Sequence, residues 1–191
     1  MDFFNHIKTV ISIILGLGIG SLLNGTVKFV QHPGRTKPYW IHLLWVLYLF
    51  VQMIHFWWWE YNLREMRVWT FTEYVLIITY ILLYFTLCQL LYPSDVKDYS
   101  DSYRNYFFSR KKWIFLLLIM IYGVDILDTL LKGQTYLEKL MPLYGVKMVT
   151  HISLCVLLAF SKSKKSFWYA VMVIFFIIFE LYFISSKYYI D

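Results

Sequence analysis

The feature that most constrains this chain is a series of six apolar runs, each long enough to cross a lipid bilayer. They occupy residues 9–31, 39–59, 68–92, 113–132, 141–160 and 166–186. A transmembrane helix needs about 20 predominantly apolar residues, and a chain with only 16% charged residues is far from the composition of a soluble domain. The sequence therefore predicts an all-α, polytopic transmembrane bundle of about six spans, formed as one domain over residues 1–191.

The fifth run fits this prediction least well, because it contains Lys147 and His151. A five-span protein with a surface helix in this region is the main alternative.

Basic residues predict the orientation of the spans. Short loops rich in Lys and Arg stay in the cytoplasm, so we expect both termini outside and the longest loop, residues 93–112, inside. Of 18 basic residues, eleven belong to the predicted inner side: Lys28, Arg35, Lys37, Lys97, Arg104, Arg110, Lys111, Lys112, Lys162, Lys164 and Lys165. The net charge of +6 is thus distributed as a topology signal, and no direct nucleic-acid partner is expected.

Ionisable residues within the apolar runs predict a polar layer. A charged group at a span centre costs roughly 2.5 to 3.5 kcal/mol, so each of these residues needs a reason to be there. Four of them lie roughly 9 to 10 Å inside the predicted outer helix ends, at 1.5 Å per residue, and two histidines lie at similar or slightly greater depth. The six residues are Glu73, Asp125, Lys147, Glu180, His55 and His151.

Two interpretations of this layer remain open. The residues line a water-filled cavity or form a buried ion-pair network, or else Asp125 and Lys147 only neutralise each other while Glu73 and Glu180 extend toward water. We expect an Asp125–Lys147 ion pair, because antiparallel neighbours joined by a short loop bring residues of equal depth together. Asp128 precedes Lys132 by one helical turn, so these two residues are expected to pair near the interface.

The first run contains a pattern typical of close helix packing. Gly16 and Gly20 form a GxxxG motif, and Asn24 continues the same face with a side chain able to hydrogen-bond across helices. The motif predicts either a homo-oligomer contact or an internal packing groove.

The end of the predicted inner loop combines aromatic and basic residues. If helical, it would lie along the interface with its basic groups toward phospholipid headgroups. It would anchor the protein to lipid or bind a cytoplasmic effector protein, through Arg104, Arg110, Lys111 and Lys112.

No enzymatic motif is present in the sequence. It contains no GxSxG, HExxH, Walker loop or CxxC pattern, and its two cysteines, Cys88 and Cys155, stand apart in apolar runs. We therefore predict no catalytic residues, no metal ligands and no cofactor.

Several segments resemble a large uncharacterised family of small bacterial polytopic membrane proteins. The resemblance covers about residues 10–120 and depends on the glycine-rich first run, PYWIHLLW at 38–45, FWW at 56–58, WTF at 69–71 and FFSRKKW at 107–113. It implies a multi-pass protein of the bacterial inner membrane and no settled activity. In size, span count and residue usage, the chain is also similar to the membrane accessory protein of subtype VI-B CRISPR loci, which implies a role in antiviral defence.

Three functions compete at this point. The first is an oligomeric pore or membrane-active effector, in which the GxxxG face assembles subunits and the polar layer lines a water path. The second is a transporter of a small solute, ion or proton that uses Asp125, His151 and Glu180. The third is an enzyme acting on lipid headgroups, for which the sequence offers no nucleophile.

Overall fold

The computed structural model of the protein describes residues 3–32, 34, 37–66, 68–99 and 102–187, and for Phe3 the backbone alone. The helices are α1 (Phe3–Gln31), α2 (Trp40–Trp59), α3 (Phe71–Leu91), α4 (Tyr103–Leu131), α5 (Gln134–Leu140), α6 (Leu143–Phe160) and α7 (Ser166–Lys187). All except the short α5 are long and apolar enough to cross a membrane. The prediction of an all-α bundle with six spans is confirmed, and the chain is a multi-pass integral membrane protein.

Two helices begin earlier than predicted. α1 begins at Phe3 rather than near residue 9, and α4 begins at Tyr103 rather than near residue 113. Ser102 caps α4, because its hydroxyl accepts a hydrogen bond from the backbone N–H of Asn105 at 3.3 Å. The prediction of a loop over residues 93–112 is therefore wrong for its second half, because residues 103–112 form the first turns of α4.

The six spans alternate in direction, so the bundle has two distinct ends. At the terminal end, α1 begins and α7 ends. At the basic end lie the loops that follow α1, α3 and α6. Ten of the eleven basic residues predicted to be inside belong to the described residues at the basic end, and Arg35 lies outside the described residues.

α2 is the central helix of the bundle. It packs against α1, α3, α4 and α7, and α6 packs against both α4 and α7. Eleven of its 20 residues are buried, so its polar residues face protein rather than lipid. The buried residues on one face of α2 recur every three or four positions, which is the spacing of core residues in packed helical bundles. This face carries Trp45, Tyr48, Gln52, His55 and Trp59.

α1 lies at the periphery and packs against α3 and α2. Its close contacts with these helices use two glycines outside the GxxxG motif. A Cβ atom built on Gly18 would lie 2.7 Å from Cε of Met53, and one built on Gly25 would overlap the ring of Tyr92. These glycines therefore let the neighbouring side chains approach the α1 backbone.

The GxxxG motif itself faces away from the protomer. A Cβ atom on Gly16 or Gly20 would meet no atom within 4 Å, and Asn24 on the same face is exposed. The alternative that the motif forms an internal packing groove is therefore wrong for this protomer.

Candidate functional site

A small enclosed cavity, which we call the polar chamber, lies in the half of the bundle nearer the terminal end. Its volume is about 10 Å³, room for roughly one water molecule. Seven of the ten side chains that line it carry a polar or charged group other than an indole. The lining comes from α2, α3, α4 and α6 and consists of Gln52, His55, Phe56, Trp59, Tyr80, Tyr84, Tyr122, Asp125, Lys147 and Met148.

On one side of the polar chamber, Glu180 of α7 pairs with two bases from other helices. Its Oε2 lies 2.7 Å from Nζ of Lys147, and its Oε1 is hydrogen-bonded to Nδ1 of His55. The Lys147 ammonium also lies 4.6 Å from the centre of the Phe183 ring, within the range of a cation–π contact. Glu180 is fully buried and Lys147 is 4% exposed, so this desolvated cluster joins α2, α6 and α7.

Asp125 is held by two phenols rather than by a cation. The hydroxyl of Tyr80 donates to its Oδ1 at 2.5 Å, and the hydroxyl of Tyr144 donates to its Oδ2 at 2.9 Å. The predicted Asp125–Lys147 ion pair is therefore wrong. The two residues share one chamber at similar depth, but equal depth does not determine side-chain direction, and the Lys147 side chain pairs with α7.

Hydrogen bonds continue from the polar chamber toward the middle of the membrane. The hydroxyl of Tyr84 donates to Oε1 of Gln52 at 3.3 Å, and Nε2 of Gln52 donates to the hydroxyl of Tyr48 at 2.9 Å. A short hydrogen bond then joins the hydroxyls of Tyr48 and Tyr122. The hydroxyls of Tyr48 and Tyr122 can each donate or accept, so the bond between them can reverse, whereas the Gln52 amide fixes the direction of its own two hydrogen bonds.

A second charge cluster lies between the polar chamber and the terminal end. Lys132, which follows the end of α4, lies 3.1 Å from Oε1 of Glu60 and also pairs with Asp128, so the predicted Asp128–Lys132 pair is confirmed. The indole of Trp59 lines the chamber and donates to Oδ2 of Asp128 at 3.0 Å. Burial alone would lower the pKa of Lys132, but the carboxylates of Asp128 and Glu60 outweigh it and hold that pKa above its usual value.

On the other side, toward the basic end, an aromatic layer closes the bundle. The Trp45 ring lies 5.0 Å from the Phe115 ring and 5.5 Å from the Phe176 ring, measured between centroids, and all three side chains are almost completely buried. Beyond this layer, Nε2 of His42 hydrogen-bonds to the carbonyl oxygen of Leu91 at 2.6 Å. His42 precedes Gln52 on α2 by about 15 Å of helix, so the layer separates two polar regions.

His151 lies beside the polar chamber on α6, on the side of the aromatic layer. Its Nδ1 is 2.9 Å from the carbonyl oxygen of Lys147, and its ring centroid is 4.2 Å from that of Phe176. Within the described part of the chain, its Nε2 has no hydrogen-bond partner. A buried nitrogen without a partner is costly, so a water molecule at this nitrogen would stabilise His151.

The structure brings together five of the six residues predicted for the polar layer: His55, Asp125, Lys147, His151 and Glu180. Glu180 does not extend toward water, because it is fully buried. Glu73 is the exception. α3 begins at Phe71, so Glu73 lies in its first turn and forms a capping box with Thr70, whose N–H it accepts at 2.7 Å.

Sequence reasoning missed much of the polar lining. Tyrosine is so frequent in this chain, with 17 residues, that no single one stood out. The repeat of polar and large residues along one face of α2 was the available signal, because it contains Gln52 at a span centre. The missed residues are Gln52, Glu60, Tyr48, Tyr80, Tyr84, Tyr122 and Tyr144.

The basic residues at the start of α4 contact other parts of the same chain. Arg104 donates a hydrogen bond to the carbonyl oxygen of Lys164 at 3.1 Å. Arg110 and Lys111 each donate to a tyrosine hydroxyl at 2.7 Å, Arg110 to that of Tyr99 and Lys111 to that of Tyr169. The ammonium of Lys112 lies 5.5 Å from the centre of the Phe160 ring. These contacts fix the start of α4 to neighbouring segments at the basic end. Binding of a cytoplasmic effector protein by these residues stays a prediction.

No group of three or more His, Cys, Asp or Glu side chains in the described ranges is arranged to hold a metal ion. Cys88 and Cys155 are both free and buried. Comparison of the chain with protein-family models, curated proteins and solved structures gave no match. The fold and the site define the class, an integral membrane protein with a polar chamber inside its helical bundle.

Proposed function

We propose that each protomer transfers protons or a small cation across the membrane through the polar chamber. The observation that carries this proposal is an excess of acid over base in and beside the polar chamber, where Asp125 is half-buried and the other three acids are buried. Four carboxylates, Glu60, Asp125, Asp128 and Glu180, are accompanied by two ammonium groups, those of Lys132 and Lys147.

This excess requires a positive partner. The cluster holds two more carboxylates than ammonium groups, and an uncompensated charge in a low-dielectric interior is costly. The carboxylates therefore bind protons or a cation.

The size of the polar chamber restricts the transported species. A cavity of about 10 Å³ has room for roughly one water molecule, which favours a proton or a small cation over an organic solute. Buried carboxylates and histidines are groups that membrane proteins use to relay protons.

The aromatic layer favours a carrier over a permanently open channel. Trp45, Phe115 and Phe176 fill the bundle beneath the polar chamber, so transfer to the basic end requires these rings to move. A gated transfer step of this kind has a limited rate and saturates with substrate.

Vesicle flux measurements test this proposal. Protein reconstituted into liposomes with an internal pH-sensitive dye is expected to dissipate an imposed pH gradient. Asp125→Asn should reduce that flux to the level of empty vesicles. The matched control is Glu138→Gln, a change of an exposed acid on α5, which should retain full flux. Equal flux from wild type and Asp125→Asn would overturn the assignment of Asp125.

A second candidate, an oligomeric pore or membrane-active effector, is favoured by the exposed face of α1. Residues at every fourth position along the middle of this face are small or polar: Ser12, Gly16, Gly20 and Asn24. An exposed Asn24 within a span favours a partner helix, since interhelical hydrogen bonds to Asn stabilise association in lipid. In this proposal, copies of α1 pack together and their stripes surround a shared axis.

The α1 face is tested by mass measurement. Gly16→Leu should reduce the detergent-solubilised particle to a single protomer, whereas Gly123→Leu, at an exposed glycine of α4 where a Cβ atom also meets no atom within 4 Å, should leave the mass unchanged. An unchanged mass for Gly16→Leu would show that the motif does not assemble subunits. A role in antiviral defence, as the sequence resemblance implies, is tested by phage plating with this variant in the native genetic context.

We also propose that the basic end faces the cytoplasm of a bacterial cell, with both termini outside. The distribution of basic residues supports this orientation through the positive-inside rule. The polar chamber would then lie in the outer half of the membrane.

A further inference from the structure

A groove separate from the polar chamber opens between α1 and the end of α2 at the terminal end. Its volume is about 410 Å³, within the range of small-molecule sites. Most of its lining is apolar, from Phe4, Ile11, Trp57 and Trp58, and its polar members are Lys8, Glu60 and Tyr61. An apolar slot with a few charged groups at one end matches an amphiphile with a charged head and an acyl chain.

Glu60 makes this groove more than an apolar surface. It lines the groove, it is only 4% exposed, and one of its carboxylate oxygens is bonded to Lys132. Its other oxygen, Oε2, has no hydrogen-bond partner in the described part of the chain. A buried carboxylate oxygen without a donor is costly, so a ligand that supplies an N–H group gains affinity here.

The charges around the groove specify the ligand head. Glu60 belongs to a cluster in which two carboxylates share one ammonium group, which attracts a cation. Lys8 is exposed on the groove wall and attracts an anion. A head that carries both an ammonium group and a phosphate satisfies both residues, and its N–H donors distinguish it from a trimethylammonium head.

We propose that this groove binds an ethanolamine phospholipid from the leaflet at the terminal end. The lipid's ammonium group donates a hydrogen bond to the Glu60 carboxylate after that carboxylate rotates. The lipid's phosphate lies near Lys8, and one acyl chain packs against Trp57 and Trp58. Because Glu60 also contacts Lys132, the bound lipid adjoins the charge cluster that closes the polar chamber. The proposal goes beyond the transport function and does not depend on it.

Native mass spectrometry of the full chain, delipidated in detergent, tests this inference. The probes are ethanolamine, choline and glycerol phospholipids with identical acyl chains, added one at a time. We expect the ethanolamine lipid to bind about tenfold more tightly than the choline lipid, the change that a charge-assisted hydrogen bond supplies. Glu60→Gln should remove this preference. Glu65→Gln, which changes an exposed acid at the other end of the 3₁₀ helix Glu60–Glu65, should keep it.

A second variant keeps the test decisive if Glu60→Gln does not fold. Lys8→Glu changes an exposed residue and should weaken binding of the ethanolamine lipid without changing the thermal unfolding temperature. Equal affinity of wild type for all three lipids would overturn the proposal. A preference for the glycerol lipid would also overturn the proposal, because it would show that Lys8 alone, and not Glu60, determines which lipid head binds. Binding is measured without transport, so failure here is distinguishable from failure of the proposed function.

Discussion

Removing Glu180 should destabilise the bundle more than removing Lys147, although the two groups form one ion pair. The reason lies in the third member of the cluster. Glu180 accepts from both Lys147 and His55, so Glu180→Gln leaves an almost completely buried ammonium without its carboxylate. Lys147→Met leaves Glu180 with His55 as a remaining donor.

The size of the effect follows from burial. Removing one partner of a buried pair costs about 3–5 kcal/mol, and both side chains here are at least 95% buried. We expect Glu180→Gln near the upper part of this range and Lys147→Met near the lower part. The double variant Lys147→Met with Glu180→Gln should be more stable than the sum of the single changes implies, because no unpaired ammonium remains.

The assay is the free energy of unfolding in detergent, followed by circular dichroism with increasing denaturing surfactant. The matched control is Lys139→Met, the same change at an exposed position of α5, which should shift stability by less than about 0.5 kcal/mol. Additive losses in the double variant would refute the reasoning. The reasoning would also be refuted if the two single variants changed the free energy of unfolding no more than the control does.

Three further predictions concern packing, topology and capping. Gly25→Ala should destabilise the protein by about 1–3 kcal/mol, because the added Cβ would overlap the Tyr92 ring. Gly16→Ala should leave the stability of the monomer unchanged, and thermal unfolding of both variants measures the difference. A cysteine at the exposed Ser94 should resist an impermeant thiol reagent in intact cells, and rapid labelling would reverse the proposed orientation. Thr70→Ala should cost about 1 kcal/mol, since it removes the cap of α3; an unchanged unfolding free energy would show that the capping box contributes nothing.

The spans were predictable because hydrophobicity alone determines which segments enter a membrane. Helix bounds were less predictable where a helix extends past the hydrocarbon, since polar turns can continue it into the headgroup region. α4 shows this, because it starts at Tyr103 although its apolar run starts near residue 113. In the same way, α1 starts at Phe3 although its apolar run starts near residue 9.

Much of the site was predictable by depth, since charged residues within a span must share a polar level. The partner of each charged residue was not predictable, because it depends on how each helix is rotated and on which helices are neighbours. Lys147 pairs with Glu180 of α7 rather than with Asp125 of α4. Tyr80 and Tyr144, which hold Asp125, are amphipathic residues that are equally common at lipid interfaces, so their sequence positions gave no sign of this role.

The central claim is that transfer occurs through the polar chamber inside a single protomer. The most direct test is proton flux in liposomes reconstituted so dilutely that active vesicles contain one protomer, with the number of protomers per vesicle counted by single-molecule photobleaching. The account predicts flux in vesicles with one protomer, at a rate per protomer equal to that at high protein density, and no flux for Asp125→Asn. Flux confined to vesicles with several protomers would contradict it and would place the path between subunits, along the exposed face of α1.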